Sequence, residues 1–493
     1  MWKKITIWML VLAMLAALVG CGSTETAADT ESAGSANSAQ QQAANQGSQE
    51  DGWSDMDDSQ NSSSVNHNAN NGSGSGSAVN TGASSESALD VSELFSNRDL
   101  RQEADLSESV SYTMESGKTI TITSEGVYVL SGTAADATVV VEAGDEDKVQ
   151  LVLNGLSVTN SDFPCVYVKN ADKVFVTTAE GTENSLSVTG DFTADGDTNT
   201  DAVIFSKDDL VLNGLGSLPI SSSDNGISCK DDLKITGGSL NISAVADALE
   251  AHDSISMADG SVTINTKKDG LHAEYDEDDS VGYVYIGGGS LTVQAGDDAI
   301  HATTILQIDD GNLNLSGGEC LEATWVQVNG GSITINASDD GINGARKSSA
   351  YSPTVEINGG EISITMGAGD TDGIDSNGSL YINGGTLSIN AQSPFDYDGQ
   401  GVLNGGTVTV NGTQVTSLTN QFGGGMGGMG GHGGFGGQGG FPGGQGSSGE
   451  MGTIPGDNSG DASGQQGQFP GGQGGFPGGQ QGGQQGGGRG GRP

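Results

Sequence analysis

From about residue 119 to 416 the chain alternates apolar and polar positions in short runs, and the runs recur. Gly238, Gly260, Gly289, Gly311, Gly331, Gly360, Gly385 and Gly406 are separated by 22, 29, 22, 20, 29, 25 and 21 residues, so 22 recurs and two gaps hold seven extra residues. Each glycine is followed by an alternating pair: Leu240/Ile242, Val262/Ile264, Leu291/Val293, Leu313/Leu315, Ile333/Ile335, Ile362/Ile364, Leu387/Ile389 and Val408/Val410. A period of two over β-branched residues, punctuated by Gly, Asn and Asp, predicts strands joined by turns. A repeat of this length without a helical pattern predicts a solenoid of stacked coils. Three short strands fit in one coil, and coils hydrogen-bonded at about 4.8 Å form an all-β parallel β-helix. Nothing between the strands is long enough for the crossover helix of a doubly wound sheet. The stretch holds roughly ten to thirteen coils.

Composition narrows the partners. The 493 residues carry 63 acidic against 17 basic side chains, a formal net charge of -46. No basic stripe replaces counterions, so nucleic acid is excluded as a partner. An acidic polymer would also be repelled, and needs a bridging cation.

The two ends read differently from the middle. Lys3 and Lys4 precede an apolar stretch from Ile5 to Val19 that is short for a membrane span and ends Leu18-Val19-Gly20-Cys21. This pattern resembles the lipobox of bacterial lipoproteins, which implies a signal peptide over 1–20, cleavage before Cys21 and a lipid on its sulfur. The chain is then anchored on the outer face of a bacterial membrane. An ordinary secretory signal is the alternative. Residues 21–88 have almost nothing apolar to bury and are expected to be a disordered tether. Residues 89–118 are expected to cap the first coil, with a short helix between Val91 and Leu106. The Gly-rich stretch 417–493 is expected to be a disordered tail.

Aligning the coils on the inward residues Ile227, Leu249, Leu271, Ile300, Leu321, Ile342 and Ile374 sorts the polar residues into columns. Two positions earlier stand Asn225 with Asp224 beside it, Asp247, Asp269, Asp298, Glu319, Asp340 and Asp372. Unit charges 4.8 Å apart repel by about 1 kcal/mol in water and roughly 3.5 at an effective dielectric of 20, so such a ladder asks for compensation. Turn N–H groups supply one kind, since Asp before Gly commonly bonds its own backbone. Bound calcium, with six to eight oxygen ligands, supplies the other. Asp224, Asp247, Asp269, Asp298, Glu319, Asp340 and Asp372 are therefore candidate metal ligands, although their spacing matches neither an EF-hand nor a nonapeptide β-roll. Cys165, Cys229 and Cys320 are an odd set; the last two lie four coils apart, roughly 19 Å, beyond disulfide reach, and read as buried thiols.

One and three steps after the same mark come Ser228, Glu250, His272, His301, Glu322 and then Lys230, His252, Glu274, all turned outward by alternation. Glu250, His252, His272, Glu274, His301 and Glu322 thus share one face. The plain reading is a solvated polar surface; the alternatives are contacts to sugar hydroxyls or a transition metal. Tyr275, Tyr283, Tyr351, Trp325 and Phe395 are candidates to stack on sugar rings, some of them being core.

Several ordered motifs carry a family likeness: Gly126-Val127-Tyr128-Val129-Leu130-Ser131-Gly132-Thr133, Lys148-Val149-Gln150-Leu151-Val152-Leu153-Asn154-Gly155, Ala179-Glu180-Gly181-Thr182-Glu183-Asn184-Ser185-Leu186, and the paired Lys207-Asp208-Asp209-Leu210 and Lys230-Asp231-Asp232-Leu233. Over about 95–416 the chain resembles the bacterial family of carbohydrate-binding-domain proteins, whose best-known type is a clostridial surface protein that binds cellulose and polygalacturonate. The resemblance implies a right-handed parallel β-helix similar to pectate lyases, bound calcium, and binding of plant or cell-wall polysaccharide without established catalysis. Glu250-Ala251-His252 and His272-Ala273-Glu274 stand where relatives often have Lys, Arg or Gly. A lyase of this fold wants an Arg or Lys base beside calcium, and Arg346, beside Lys347 in an inserted loop, is the solenoid's one arginine. Hydrolase chemistry needs two carboxylates at a set distance, which a ladder offers many times over. The expected function is non-catalytic polysaccharide binding; a lyase or hydrolase, and a structural spacer or adhesin, are the alternatives.

Overall fold

The computed structural model describes residues 87–275, 278–368 and 371–420. The leader, Cys21, the tether up to residue 86, Asp276 and Glu277 of the acidic loop, and the tail from residue 421 lie outside them. The described residues form an all-β solenoid of parallel strands, and there is no helix among them. Twelve strands, one per coil from Thr119–Ile122 to Ser393–Phe395, make one sheet, which we call the histidine sheet. The second sheet folds into two flanks. Lys148–Asn160 is long enough to span both, pairing with Lys173–Thr178 on one and Ser185–Val188 on the other. We call these the first and second flank in the order the chain meets them.

Register is strict because a slip of one residue would turn the aliphatic side chains outward. Leu249 pairs with Leu271, Leu271 with Ile300, and Leu321 with Ile342. These side chains are buried, and each contributes roughly 1.5–3 kcal/mol of transfer free energy. Cys165, Cys229 and Cys320 are free thiols inside the same core. The repeating glycine marks the turn into the second flank: Gly385 has φ 76°, and a Cβ there would meet the carbonyl oxygen of Gly359 on the neighbouring coil at 2.7 Å. Beside that turn, amides stack into a ladder in which Asn358, Asn383 and Asn404 each donate to the asparagine of the preceding coil at 2.7–2.8 Å.

At the C-terminal end, Asn411 and Gly412 with φ of 49° and 77° turn the chain so that Thr413–Val415 pairs antiparallel with Thr407–Val410. The N-terminal segment differs from expectation. Residues 91–106 form successive turns instead of a helix, and Val110–Thr113 already pairs as a strand with the first flank. The turns lie as a strap across the outer surface of that flank. Leu89 N donates to Gln307 and Ala88 N to Gln327, while Gln102, fourteen residues on, reaches Thr236 and Gly214. A helix would have needed an unbroken apolar stripe; here isolated anchors, Leu89, Leu94 and Phe95, seat against Tyr283, Tyr285, Ile305 and Tyr351.

Candidate functional site

The outward column of the histidine sheet is continuous. Ser228, Glu250, His272, His301, Glu322, Asn343 and Asp375 are consecutive register partners on seven coils. Its surroundings decide its chemistry. Two insertions, those that lengthen two of the repeats by seven residues, wall one edge. Although two coils separate them, they meet: Ser348 Oγ donates to the Asp279 carbonyl at 2.5 Å, and Ser349 N and Oγ donate to the Asp279 carboxylate at 3.0 and 2.8 Å.

That wall carries Lys347, whose ammonium lies 2.9 Å from Glu322. As a result His301 and Glu322 are buried, whereas Glu250, His252 and His272 are half-buried and Glu274 is exposed. Outward direction alone does not make a residue accessible. His252 stacks on Tyr275 with ring centroids 4.9 Å apart. Of the aromatics named from sequence, Tyr275 is therefore the one on this face. Phe395 is in the core, and Tyr283, Tyr351 and Trp325 pack with the strap.

The acidic column lies directly alongside and answers the compensation problem in two ways. Over its middle the side chains accept backbone N–H groups from the next coil: Asp247 N to Asn225, Asp269 N to Asp247 and Asp298 N to Asp269, at 2.9–3.0 Å. Asn225, not Asp224, holds the ladder position, and Asp224 uses its carbonyl to receive Val245 and Ala246. The remaining carboxylate oxygens turn to the imidazoles. His272 Nδ1 is 3.1 Å from Asp247 and 3.3 Å from Asp269, and its Nε2 is 2.9 Å from Glu274. His301 Nδ1 is 3.1 Å from Asp298 and 2.9 Å from Glu322.

Charge follows from these contacts. Burial opposes a proton on His301, yet hydrogen bonds to Asp298 and Glu322 outweigh it and push its pKa up to about 10. Burial likewise opposes a charge on Glu322, but His301 and Lys347 hold it down at about 2. Glu319, one methylene longer than its column neighbours, leaves the N–H ladder and receives the Asn343 amide; burial and the Glu322 charge push it up to about 8. Further along, Asp340 accepts Asp372 N at 3.1 Å, and burial with the nearby Asp375 and Asp372 pushes Asp340 up to about 7. Asp375 rises to about 6 by burial, Asp396 and Asp372. This end of the column holds oxygen donors only, the set that calcium takes.

Sequence reasoning missed Lys347 as the partner of Glu322 and the whole polar surface under the strap: Lys173, Lys234, Gln307 and Gln327. The first signal was present, since Lys347 lies in one of the two equal insertions; the second had none, because its partners are some 70 to 240 residues apart.

Stacked parallel coils with an acidic ladder and a walled His/Glu face define the chain as a β-solenoid with one elaborated outer surface. Its family is also defined: a model for carbohydrate-binding domain-containing proteins matches residues 116–325 and 322–421, more than half of the chain, and the chain belongs to that family. A carbohydrate-binding domain-containing protein of Acetivibrio thermocellus is 43% identical over 206 residues, covering 41% of this chain and 72% of the relative. Among solved structures, a polysaccharide lyase-like protein from C. thermocellum, as a gadolinium derivative, aligns with 29% identity and a TM-score of 0.40 over 45% of this chain and 92% of that one.

Proposed function

We propose that the protein binds polysaccharide, without cleaving it, along the half-buried part of the histidine sheet, and that it does so at the outer face of a bacterial membrane, held there by a lipid on Cys21. The observation that carries the reading is the placement of Glu250, His252, His272, Glu274 and Tyr275 on neighbouring coils. Coils repeat at about 4.8 Å, comparable to the rise of one sugar unit, so a glycan chain lying along the solenoid meets one set of donors, acceptors or ring faces per coil. The wall of inserted residues limits that track on one side. Membership of a family named for carbohydrate binding supports the same reading.

In this reading the coils wind right-handed, and calcium is held by Asp340, Asp372 and Asp375, whose crowded carboxylates lie at the all-oxygen end of the column. Calcium there supplies positive charge that the backbone N–H groups and histidines supply elsewhere, and it would bridge a uronate to this acidic surface. Neutral glycans such as cellulose need no bridge, and pectin-like glycans do. A glycan array run on the full chain with and without chelator tests the proposal. Retention of a plant or cell-wall polysaccharide is expected; retention of none would leave the spacer reading. Release of unsaturated or reducing-end products during the same incubation would make it an enzyme.

A further inference from the structure

We propose that His272 and His301, with Asp269, form a binding site for a divalent transition-metal ion, separate from the calcium positions and independent of glycan. The ligand atoms of Asp269, His272 and His301 all lie within 4.8 Å of one another, and the two imidazole rings are 4.8 Å apart at their centroids. Metal–ligand bonds of about 2.0–2.2 Å place ligand atoms roughly 3.3 Å apart, so a closure of an ångström or so assembles the site. His272 Nδ1 is already 3.3 Å from Asp269.

Three further features suit this assignment. The first is orientation: with His272 Nδ1 and His301 Nε2 as the ligand atoms, Glu274 sits 2.9 Å from His272 Nε2 and Glu322 sits 2.9 Å from His301 Nδ1, carboxylate–imidazole pairs of the kind that fix a ligating ring. The second is a fourth donor: Asp247 lies 3.1 Å from His272 Nδ1, the nitrogen that also faces Asp269. The third is charge. Asp247, Asp269, Asp298, Glu322 and Glu274 converge on the two rings, and among the described residues Lys347 is the one lysine or arginine that touches these carboxylates. A divalent ion there offsets their mutual repulsion. Two nitrogen donors favour zinc, cobalt or nickel over calcium and magnesium, which take oxygen.

Cobalt(II) titrated into the chelator-stripped full chain, in a background of millimolar calcium and without glycan, tests this. The expected result is one ion bound, ligand-field absorption in the visible, and retention against a hundredfold excess of calcium. His272→Gln and His301→Gln, which keep a hydrogen-bonding side chain, are each expected to weaken binding by about a hundredfold or more, and Glu274→Gln, which loosens the His272 ring, by about tenfold. His252→Gln, outside the cluster, should bind as the parent does. Folding of each variant is followed by its melting curve. A folded parent that retains no cobalt, cobalt displaced by calcium at comparable concentration, or equal loss in His252→Gln would overturn the assignment. Glycan retention measured separately keeps failure here distinct from failure of the binding proposal.

Discussion

Asp247 shows how one side chain serves two neighbours. Its Oδ1 accepts Asp269 N–H from the next coil, and its Oδ2 holds His272. Removing the acceptor strands a buried N–H, so Asp247→Ala should cost about 1–3 kcal/mol by urea denaturation, and Asp247→Asn, which keeps a carbonyl at the same place, much less. Equal losses in the two variants would mean that charge, not the N–H bond, holds the column. Asp231 carries the opposite kind of burden. Burial and then Asp209, Asp232 and Asp253 push it up to about 7. A carboxyl whose folded pKa lies above its unfolded value keeps its proton more tightly when folded, so its contribution to stability falls as pH rises from about 4 to 7. Asp231→Asn retains the acceptor for Asp232 N and removes the charge. Its melting temperature should exceed the parent's at pH 8 and match it near pH 4, which differential scanning calorimetry at the two pH values reads directly.

At the scale of elements, what could be read from sequence depended on periodicity. The coils were legible because inward Leu and Ile recur at a period of two within a strand and of about 22 between strands, and the outward column of Glu250, His272 and His301 followed from the same count. Burial of that column was not legible, since it depends on Lys347 and on two insertions meeting through Ser349 and Asp279. The strap was not legible either: its contacts follow no repeat. Within it Asp99 is fully buried, 3.6 Å from Lys173 and 3.9 Å from Lys234, both also buried. Arg98 lies over the Phe175 ring at 4.5 Å. Asp99→Ala leaves Lys173 with Asp209, 3.5 Å away, but takes the facing carboxylate from buried Lys234, so it should destabilise by roughly 3 kcal/mol. Hydrogen exchange would locate the change: amides of 87–106 and of the first flank should lose protection together. A strap that exchanges freely in the parent would refute this.

For the whole molecule, neighbouring coils are the unit of stability, as in other repeat proteins, and a formal net charge of -46 works against all of them at once. An ion bound only by the folded coils stabilises them by mass action. Chelator should therefore lower the melting temperature, and calcium should restore it; an unchanged melt in a metal-free preparation would leave the N–H ladder and the imidazoles as the compensation. The central claim is that the track from Glu250 to Tyr275 is where a glycan lies. Its most direct measurement is glycan retention by the folded triple variant His252→Ala, Glu274→Gln, Tyr275→Ala, side chains that are exposed or half-buried and outside the aliphatic core. Two or three lost contacts of roughly 1 kcal/mol each predict a fall of well over about tenfold at nearly unchanged melting temperature. Retention of every glycan at the parent's strength by the folded variant would contradict the account and place the binding surface elsewhere on the solenoid.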